Sequence, residues 1–553
     1  LVAKKDEWVG LGTRERGELL EQCIVHTLGI SREWVHAACE AKGITKGTPR
    51  EGEEWLGGPM TTLRNLRLFA EAMQHEGAPP LPGTRTLPSG QIAVKCFPQN
   101  TFDKVMLGGI EAEVWLEPGA RPTQGRIYRE KKAGGGRDGG YREGRPAAAK
   151  GHVALVLGAG NVASIGPMDA LYKLFVDDEV VIVKTNPVNA YLQPFWEEAF
   201  RPLLDRGYFA VVRGGADVGS YLCHHDRIDS IHITGSDRTH DAIVYGGGKD
   251  GAKRKAERSP SLTKPITSEL GAVTPCIVVP GEWSEKDLAY HAANVAGMVA
   301  NNGSFNCNAC KVVVTSSGWR QRERFLELVH QKLKETPPRR AYYPGAQERY
   351  QAFLDHYPDA EPLSERSGDV VPWTIIPDVE PEHGEYALTN EAFCGVLAET
   401  TLDASDPGDF IEKAVKFAND DCWGTLSCMM LIAPAEEARY KQAYDKAIAD
   451  LRYGGIAVNT WAGMVYGLVS TTWGAYPGHT LEDIQSGRGV VHNGLLLDHP
   501  QKSVVKAPFR MPVKHAYFPD HKTLHKLGEA LCRFEAAPGW TKIPSIAIHG
   551  MRG

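Results

Sequence analysis

Apolar residues recur at helical spacing through much of the first hundred positions. Arg14–Leu28, Arg32–Lys42 and Met60–Glu76 each place large apolar side chains three and four apart, which predicts helices. The period then changes. Gln91–Phe97 alternates as a strand does, and Glu111–Pro118 is a short strand closed by proline. From Val153 onward, short apolar runs take turns with helical stretches. Val153–Leu157, Val180–Lys184, Phe209–Val212 and Ile228–Thr234 are the predicted strands, and Pro167–Phe175, Ala190–Leu204 and Gly219–His224 the helices between them. Such alternation predicts a parallel sheet covered by helices. A second run of the same kind follows Glu269, with strands at Cys276–Val279 and Val312–Thr315 and a helix around Leu288–Ala300. No internal repeat is present, and the C-terminal stretch shows no readable chemistry.

Two glycine-rich stretches interrupt these patterns. Lys131–Gly140 cannot pack a core and reads as an exposed loop; Gly246–Gly251 reads the same way. The second is followed by Lys253, Arg254, Lys255 and Arg258, read as a solvated loop, with a site for a phosphate as the sharper alternative.

Composition narrows the class. At 553 residues the chain is long enough for two or three domains, and 24% charged with 42% hydrophobic residues is ordinary for a soluble protein. A formal net charge of −6 gives no pull toward nucleic acid or an anionic membrane. No apolar run reaches the length of a membrane span, and Leu1–Glu7 is too polar for a secretory signal. Eleven scattered cysteines do not form a secreted disulfide framework, so a reducing, cytoplasmic setting is expected.

The candidate chemistry centres on Asn301–Lys311, where Cys307 lies in a polar, glycine-turned segment before an apolar run. Glu269, in Ser268-Glu269-Leu270-Gly271, is its candidate partner. A thiolate attacks a carbonyl carbon and a separate carboxylate deprotonates water, which together suggest chemistry through a thioester. Cys307 and Cys310 also form a CxxC, the mark of a redox pair or half a metal site. With no second CxxC at zinc spacing no metal is expected, and Cys310 reads as a packed residue. Cys223-His224-His225-Asp226 reads as local hydrogen bonding rather than a metal site. Gly158-Ala159-Gly160-Asn161-Val162-Ala163 follows a strand and nearly matches a dinucleotide fingerprint. The next strand ends in Lys184 instead of the usual acid, which suits a mode in which an ammonium meets the ribose or a phosphate.

With these residues in order, the chain resembles the aldehyde dehydrogenase superfamily along most of its length. Thr234-Gly235-Ser236, preceded by His225–Asp229, looks like the family's cofactor turn, Glu269-Leu270-Gly271 like its general-base motif, and Glu391-Ala392-Phe393 like its E-x-F motif. Asn419-Asp420 and Val458-Asn459 resemble two later landmarks. The resemblance implies Cys307 as nucleophile, Glu269 as base for water and Asn161 in the oxyanion hole. It implies Lys184, Gly235, Ser236, Leu270, Glu391 and Phe393 around a nicotinamide cofactor, with Glu391 on the nicotinamide-side ribose. Some positions depart from the pattern. A gap-free alignment puts Asn306 at the nucleophile position; asparagine cannot serve there, so Cys307 is assigned with a one-residue shift, and the alternative is a chain that has lost activity. Cys307-x-x-x-Lys311 resembles fatty acyl-CoA reductases. Pro187 stands where NAD-preferring members often carry a Glu, so NAD and NADP both remain open. Arg238 meets a phosphate or points to solvent, and Trp461, Tyr466 and Trp473 line a substrate pocket or simply pack.

The expected fold is therefore α/β and aldehyde dehydrogenase-like, with two parallel-sheet Rossmann-like domains and a β-arm for oligomerisation. Residues 1–112 and 150–270 would form the cofactor domain, 113–149 the arm with its tip at 134–140, 271–460 the catalytic domain, and 461–553 a substrate loop, return strands and an extension. The expected activity is oxidation of an aldehyde to a carboxylic acid with NAD or NADP. A CoA-acylating enzyme or acyl-CoA reductase and a non-catalytic scaffold on the same fold are the alternatives. A homodimer or homotetramer is expected, without nucleic acid or membrane partners.

Overall fold

The computed structural model describes residues 1–132 and 150–553. Two sheets organise it. The first has six strands in the order Gly487–Arg488, Ile266–Leu270, Ser230–Gly235, His152–Leu157, Glu179–Lys184 and Phe209–Val212; all are parallel except the short Gly487–Arg488 edge. These strands are rich in Val and Ile, and helices cover both faces, as the alternating pattern predicts. The chain runs outward from the central strand His152–Leu157 to one side, then returns to the other. That reversal opens a crevice at the carboxyl ends of His152–Leu157, Glu179–Lys184 and Ser230–Gly235, where α/β sheets bind ligands.

The second sheet has eleven strands. Its middle is parallel and includes Thr274–Val278 and Cys310–Ser316, buried at every position. On one side, Pro500–Lys506 pairs in parallel with Gly455–Val458 and antiparallel with Glu111–Leu116, which continues the same sheet through Ile92–Phe97 to the edge strand Gly83–Thr86. The expected arm tip at 134–140 lies outside the described residues.

Several predicted elements change on folding. Arg14–Leu28 and Arg32–Lys42 are one continuous helix, Thr13–Lys42, ended by Gly43 at φ 67°. Gly29 does not break it, because Leu19, Leu20, Trp34 and Val35 are buried along both halves. Ala190–Leu204 is instead three short helical pieces, Pro187–Leu192, Gln193–Ala199 and Arg201–Asp205, each with a proline in its first turn. The basic segment after Gly246 is not a loop. Gly248–Ala256 is a helix, in which Lys255 meets Asp241 at 2.7 Å and Arg254 donates to the Tyr245 carbonyl at 3.0 Å. Ala, Lys and Arg favour this helix, and these contacts occupy part of the charge the phosphate alternative requires.

The C-terminal stretch forms Leu524–Ala536 and Ile543–Met551, which dock on the N-terminal helices. Glu535, 3% exposed, bridges Arg64 at 2.8 Å and Arg67 at 2.6 Å, both from Thr61–Gln74. The two guanidiniums hold the Glu535 carboxyl below its ordinary range despite its burial. Glu535→Ala removes the carboxylate these two buried cations share, leaving Arg67 with Glu71 at 2.6 Å and Arg64 with Asp103 only at 4.0 Å, and we expect it to cost about 3 kcal/mol, read as a lowered urea midpoint. An unchanged midpoint would show that the extension does not brace the fold.

Candidate active site

Cys307 follows a tight polar loop. Helix Glu285–Ala300 starts at a capping box between Ser284 and Asp287. It ends at Asn301, after which Asn302, Gly303 and Ser304 take φ values of 52°, 67° and 67°. Two of these left-handed residues are not glycine and need outside support. Asn302 supplies much of it, its Nδ2 donating to the carbonyls of Asn161 at 3.0 Å and Phe305 at 3.2 Å and to Asn306 Oδ1 at 3.1 Å. Asn306 Nδ2 donates back to Asn301. The Asn306 side chain is therefore turned into the loop.

The next residue faces the other way. The Cys307 thiol and the Trp473 indole lie beside the Glu269 carboxylate, at the end of strand Ile266–Leu270. Cys307 keeps partial exposure, whereas Cys310 is fully buried beside Cys276. Burial pushes Glu269 up to about 8, helped by the charges of Asp169 and Glu391 and opposed by the Cys307 and Trp473 contacts. Burial also pushes the Cys307 thiol well up, with Glu269 and Glu391 adding to the rise and Lys311 opposing it. Glu269 Oε1 lacks a hydrogen-bond partner. Burial thus favours the protonated form of both groups, and Glu269 must ionise before it can accept the Cys307 proton.

Asn161 sits opposite, buried, with Nδ2 donating to the Phe305 carbonyl at 2.9 Å. An amide nitrogen carries two hydrogens, so this bond uses one of them. Its own carbonyl accepts from Lys42 Nζ at 3.0 Å and Tyr342 Oη at 3.1 Å. Tyr466, whose hydroxyl lies 2.8 Å from Ser164 Oγ, stands at 5.9 Å from the Trp473 ring. Trp461 donates from its indole to the Asn308 carbonyl at 2.8 Å.

The other singled-out residues line the crevice. Lys184 ends its strand, and its carbonyl accepts from Gly158 N at 3.2 Å; burial lowers its ammonium, with Asp217 opposing. Gly235 ends the strand on the other side of His152–Leu157, and Ser236 caps helix Asp237–Tyr245 by accepting from Thr239 N. Leu270 is buried beside Ser486, to whose carbonyl its N–H donates. Glu391 packs on Gly271, where a Cβ would come within 2.0 Å of its Oε2. Burial raises Glu391 to about 7 against the pull of Lys311, and its Oε1 has no partner. Phe393, at φ 43°, meets Tyr343 at 5.0 Å and Phe305 at 5.9 Å. Arg238 is exposed. Around Cys223–Asp226, Lys264 Nζ donates to the Cys223 and His225 carbonyls. Among the described residues, no group of three or more His, Cys, Asp or Glu is arranged to hold a metal.

Lys42, Glu54 and Tyr342 carried no signal in the sequence, and Asn302 and Lys311, though inside the singled-out segment, were given no role at the site. Lys42, Glu54, Asn302 and Tyr342 lie far apart along the chain and form one buried network beneath Asn161. Lys311 is buried between Cys307 and Glu391, its Nζ donating to the Ser304 carbonyl at 3.2 Å.

Residues 180–347 match the family model described as the aldehyde dehydrogenase family. A 155-residue stretch is 33% identical to 4-trimethylaminobutyraldehyde dehydrogenase A of Danio rerio; it covers 27% of this chain and 25% of that protein. The chain thus spans about a quarter of the length of the curated relatives it matches. The fold extends further. The gamma-glutamyl-gamma-aminobutyraldehyde dehydrogenase of Burkholderia cenocepacia J2315 superposes with a TM-score of 0.60 at 17% identity, over 92% of this chain and 87% of that one. An NAD-dependent aldehyde dehydrogenase of Sinorhizobium meliloti gives 0.58 at 16%, over 92% and 86%.

The raised carboxyl of Glu269 has a thermodynamic consequence. In the unfolded chain it ionises near 4.5, and in the folded chain near 8. Between these values the folded state holds the extra proton, so stability falls as pH rises through the window. Glu269→Gln removes that loss. We expect it to match the parent near pH 5 and to be more stable by on the order of 1–3 kcal/mol at pH 8.5. Chemical denaturation at the two pH values measures this, and a pH-independent difference would contradict it.

Proposed function

We propose that this chain acts as a member of the aldehyde dehydrogenase family, whose model its residues 180–347 match, and that it oxidises an aldehyde to a carboxylic acid with NAD or NADP through a thioester on Cys307. The observation that carries the reading is the partly exposed Cys307 beside the buried Glu269 carboxyl, with Asn161 bonded to the Phe305 carbonyl of the same loop.

The crevice suits a nicotinamide dinucleotide. Glu391 offers a buried Oε1 with no partner, and Gly271 leaves room for that carboxylate where a side chain would not. Lys184 and Gly235–Ser236 stand at the ends of the two strands that flank His152–Leu157, in reach of an adenosine ribose and a pyrophosphate. Leu270 and Phe393 would flank the ring. When bound, the cofactor supplies the hydride acceptor. The protein's own work is then as follows. The ionised Glu269 carboxylate takes the Cys307 proton as the sulfur bonds to the aldehyde carbon, and it releases that proton to solvent before deacylation. The second Asn161 amide hydrogen and the Cys307 backbone N–H stabilise the oxyanion; one such donor is typically worth about 3–4 kcal/mol. After oxidation to the thioester, Glu269 takes a proton from water, the water oxygen bonds to the acyl carbon, and the C–S bond breaks to release the acid.

We assign the nicotinamide side to the six-stranded unit and the thioester side to the eleven-stranded one. A homodimer or homotetramer fits the exposed edge strand Gly83–Thr86; a compact monomer in sedimentation would overturn this. The eleven free thiols fit a reducing, cytoplasmic setting. Among the described residues, no helix is long and apolar enough to cross a membrane.

Two substitutions separate the candidate nucleophiles. Cys307→Ser should abolish reduced-cofactor formation, while Cys310→Ser should keep most of it; a dead Cys310→Ser would move the nucleophile. Glu269→Gln should give a burst near one equivalent of reduced cofactor and then a slow steady state. An aldehyde panel run with and without coenzyme A decides the acyl acceptor. Rapid turnover only with coenzyme A, and no free acid without it, would replace water by the thiol cofactor.

A further inference from the structure

The turn that carries Asn161 has little stiffness of its own. A Cβ at Gly160 would lie 2.8 Å from Asn186 Oδ1 and 2.8 Å from Val188 Cβ, so the residue before Asn161 has to be glycine, the residue with the most backbone freedom. The Asn161 side chain is tied at one point, where its Nδ2 donates to the Phe305 carbonyl at 2.9 Å. An amide group is planar, so fixing one of its hydrogens sets the direction of the other, provided the main chain beneath it holds still.

Three segments meet on that main chain. The Asn161 carbonyl accepts from Lys42 Nζ at 3.0 Å, Asn302 Nδ2 at 3.0 Å and Tyr342 Oη at 3.1 Å. Lys42 Nζ also donates to Glu54 Oε1 at 2.9 Å and to Asn302 Oδ1 at 3.1 Å. An ammonium has three hydrogens, and here each has its own acceptor. One acceptor belongs to the Asn161 turn, one to the loop that leads to Cys307, and one is the counter-charge. Asn302 Nδ2 donates in addition to the Phe305 carbonyl at 3.2 Å, the oxygen that also receives the Asn161 amide. Turn and loop are thus clamped together at two oxygens, with the ammonium between them. Lys42 is 6% exposed and Glu54 3%. A buried ion pair is weak evidence for stability, because apolar side chains of similar volume often serve as well. Apolar side chains cannot hold a carbonyl of one segment and an amide oxygen of another in one place.

We propose that Lys42 is a positioning residue that sets the placement of the Asn161 amide relative to Cys307, by holding Asn161 O and Asn302 Oδ1 together. Its ammonium has no hydrogen left for substrate, so it acts through Asn161 alone. This rests on the reading of Asn161 as the oxyanion donor in the proposed reaction.

The test uses the full chain with an aldehyde and oxidised cofactor in stopped flow. Lys42→Met alone leaves Glu54 buried and uncompensated, so the variant is Lys42→Met with Glu54→Gln, which removes both charges together. Its aldehyde KM should stay within about threefold of the parent, while the burst rate falls on the order of 100-fold, as for a misplaced catalytic group. In an Asn161→Ala background the same pair of changes should cost less than about threefold, because the group being positioned is gone. An equal loss in both backgrounds, or no loss in either, would overturn the proposal. Alkylation of Cys307 by iodoacetamide builds no oxyanion, so its rate should stay within about threefold of the parent; a fall parallel to the burst means that the loop itself is disturbed, and sinks the idea. p-Nitrophenyl acetate separates this proposal from the functional reading, since it acylates a thiol through a tetrahedral oxyanion without cofactor and releases p-nitrophenolate. If the parent oxidises no aldehyde but releases p-nitrophenolate, the functional reading falls, and the same comparison of backgrounds on the ester decides the role of Lys42. A parent inert toward both substrates overturns both.

Discussion

The site depends on one carbonyl. The Asn161 main-chain oxygen accepts from Lys42 Nζ, Asn302 Nδ2 and Tyr342 Oη, all at 3.0–3.1 Å. Those donors come from the last turn of an N-terminal helix, from the loop that presents Cys307, and from a late segment across the crevice. Lys42 also holds Glu54 and Asn302 Oδ1, so a buried charge is paired and fully occupied. The arrangement offsets the left-handed backbone at Asn302 and Ser304, each of which costs on the order of 1–3 kcal/mol. Without this knot the loop would have no reason to hold Asn306 inward and Cys307 outward.

The electrostatics follow from burial. Glu269, Glu391 and Cys307 would carry three negative charges in one pocket, and Lys311 is the buried cation among them. Full ionisation there is prohibitive, so the acids and the thiol retain protons at pH where exposed carboxyls have lost theirs. A site of this kind is quiet at rest. Positive charge or a proton acceptor entering the pocket would favour the Cys307 thiolate.

The sheets were legible because apolar runs bounded by turns have few other solutions. Cys307, Glu269 and Glu391 could be singled out because each lies in a short local motif, and the fold brings these three side chains into one pocket. The knot was not legible: Lys42, Glu54 and Tyr342 carry no local mark, and only tertiary contact gives them meaning. The unbroken helix Thr13–Lys42 and the basic helix Gly248–Ala256 were misread for another reason. Packing and side-chain contacts overrode the glycines, as tertiary context often overrides local propensity.

The C-terminal extension belongs to the same argument. Leu524 presses on Gly52, where a Cβ would lie 2.5 Å from the Leu524 backbone, and Gly528 presses on Trp55. Between those two contacts stand Glu53 and Glu54. Glu53 accepts from Arg339 at 2.7 Å and from the Asn302 N–H at 3.2 Å, and Glu54 accepts from Lys42 at 2.9 Å. The extension therefore bears on the short helix Glu51–Trp55 from outside, while that helix grips the Cys307 loop from inside. Residues without readable chemistry of their own thus sit one layer from the Cys307 loop, and close glycine contacts leave that layer little room to shift.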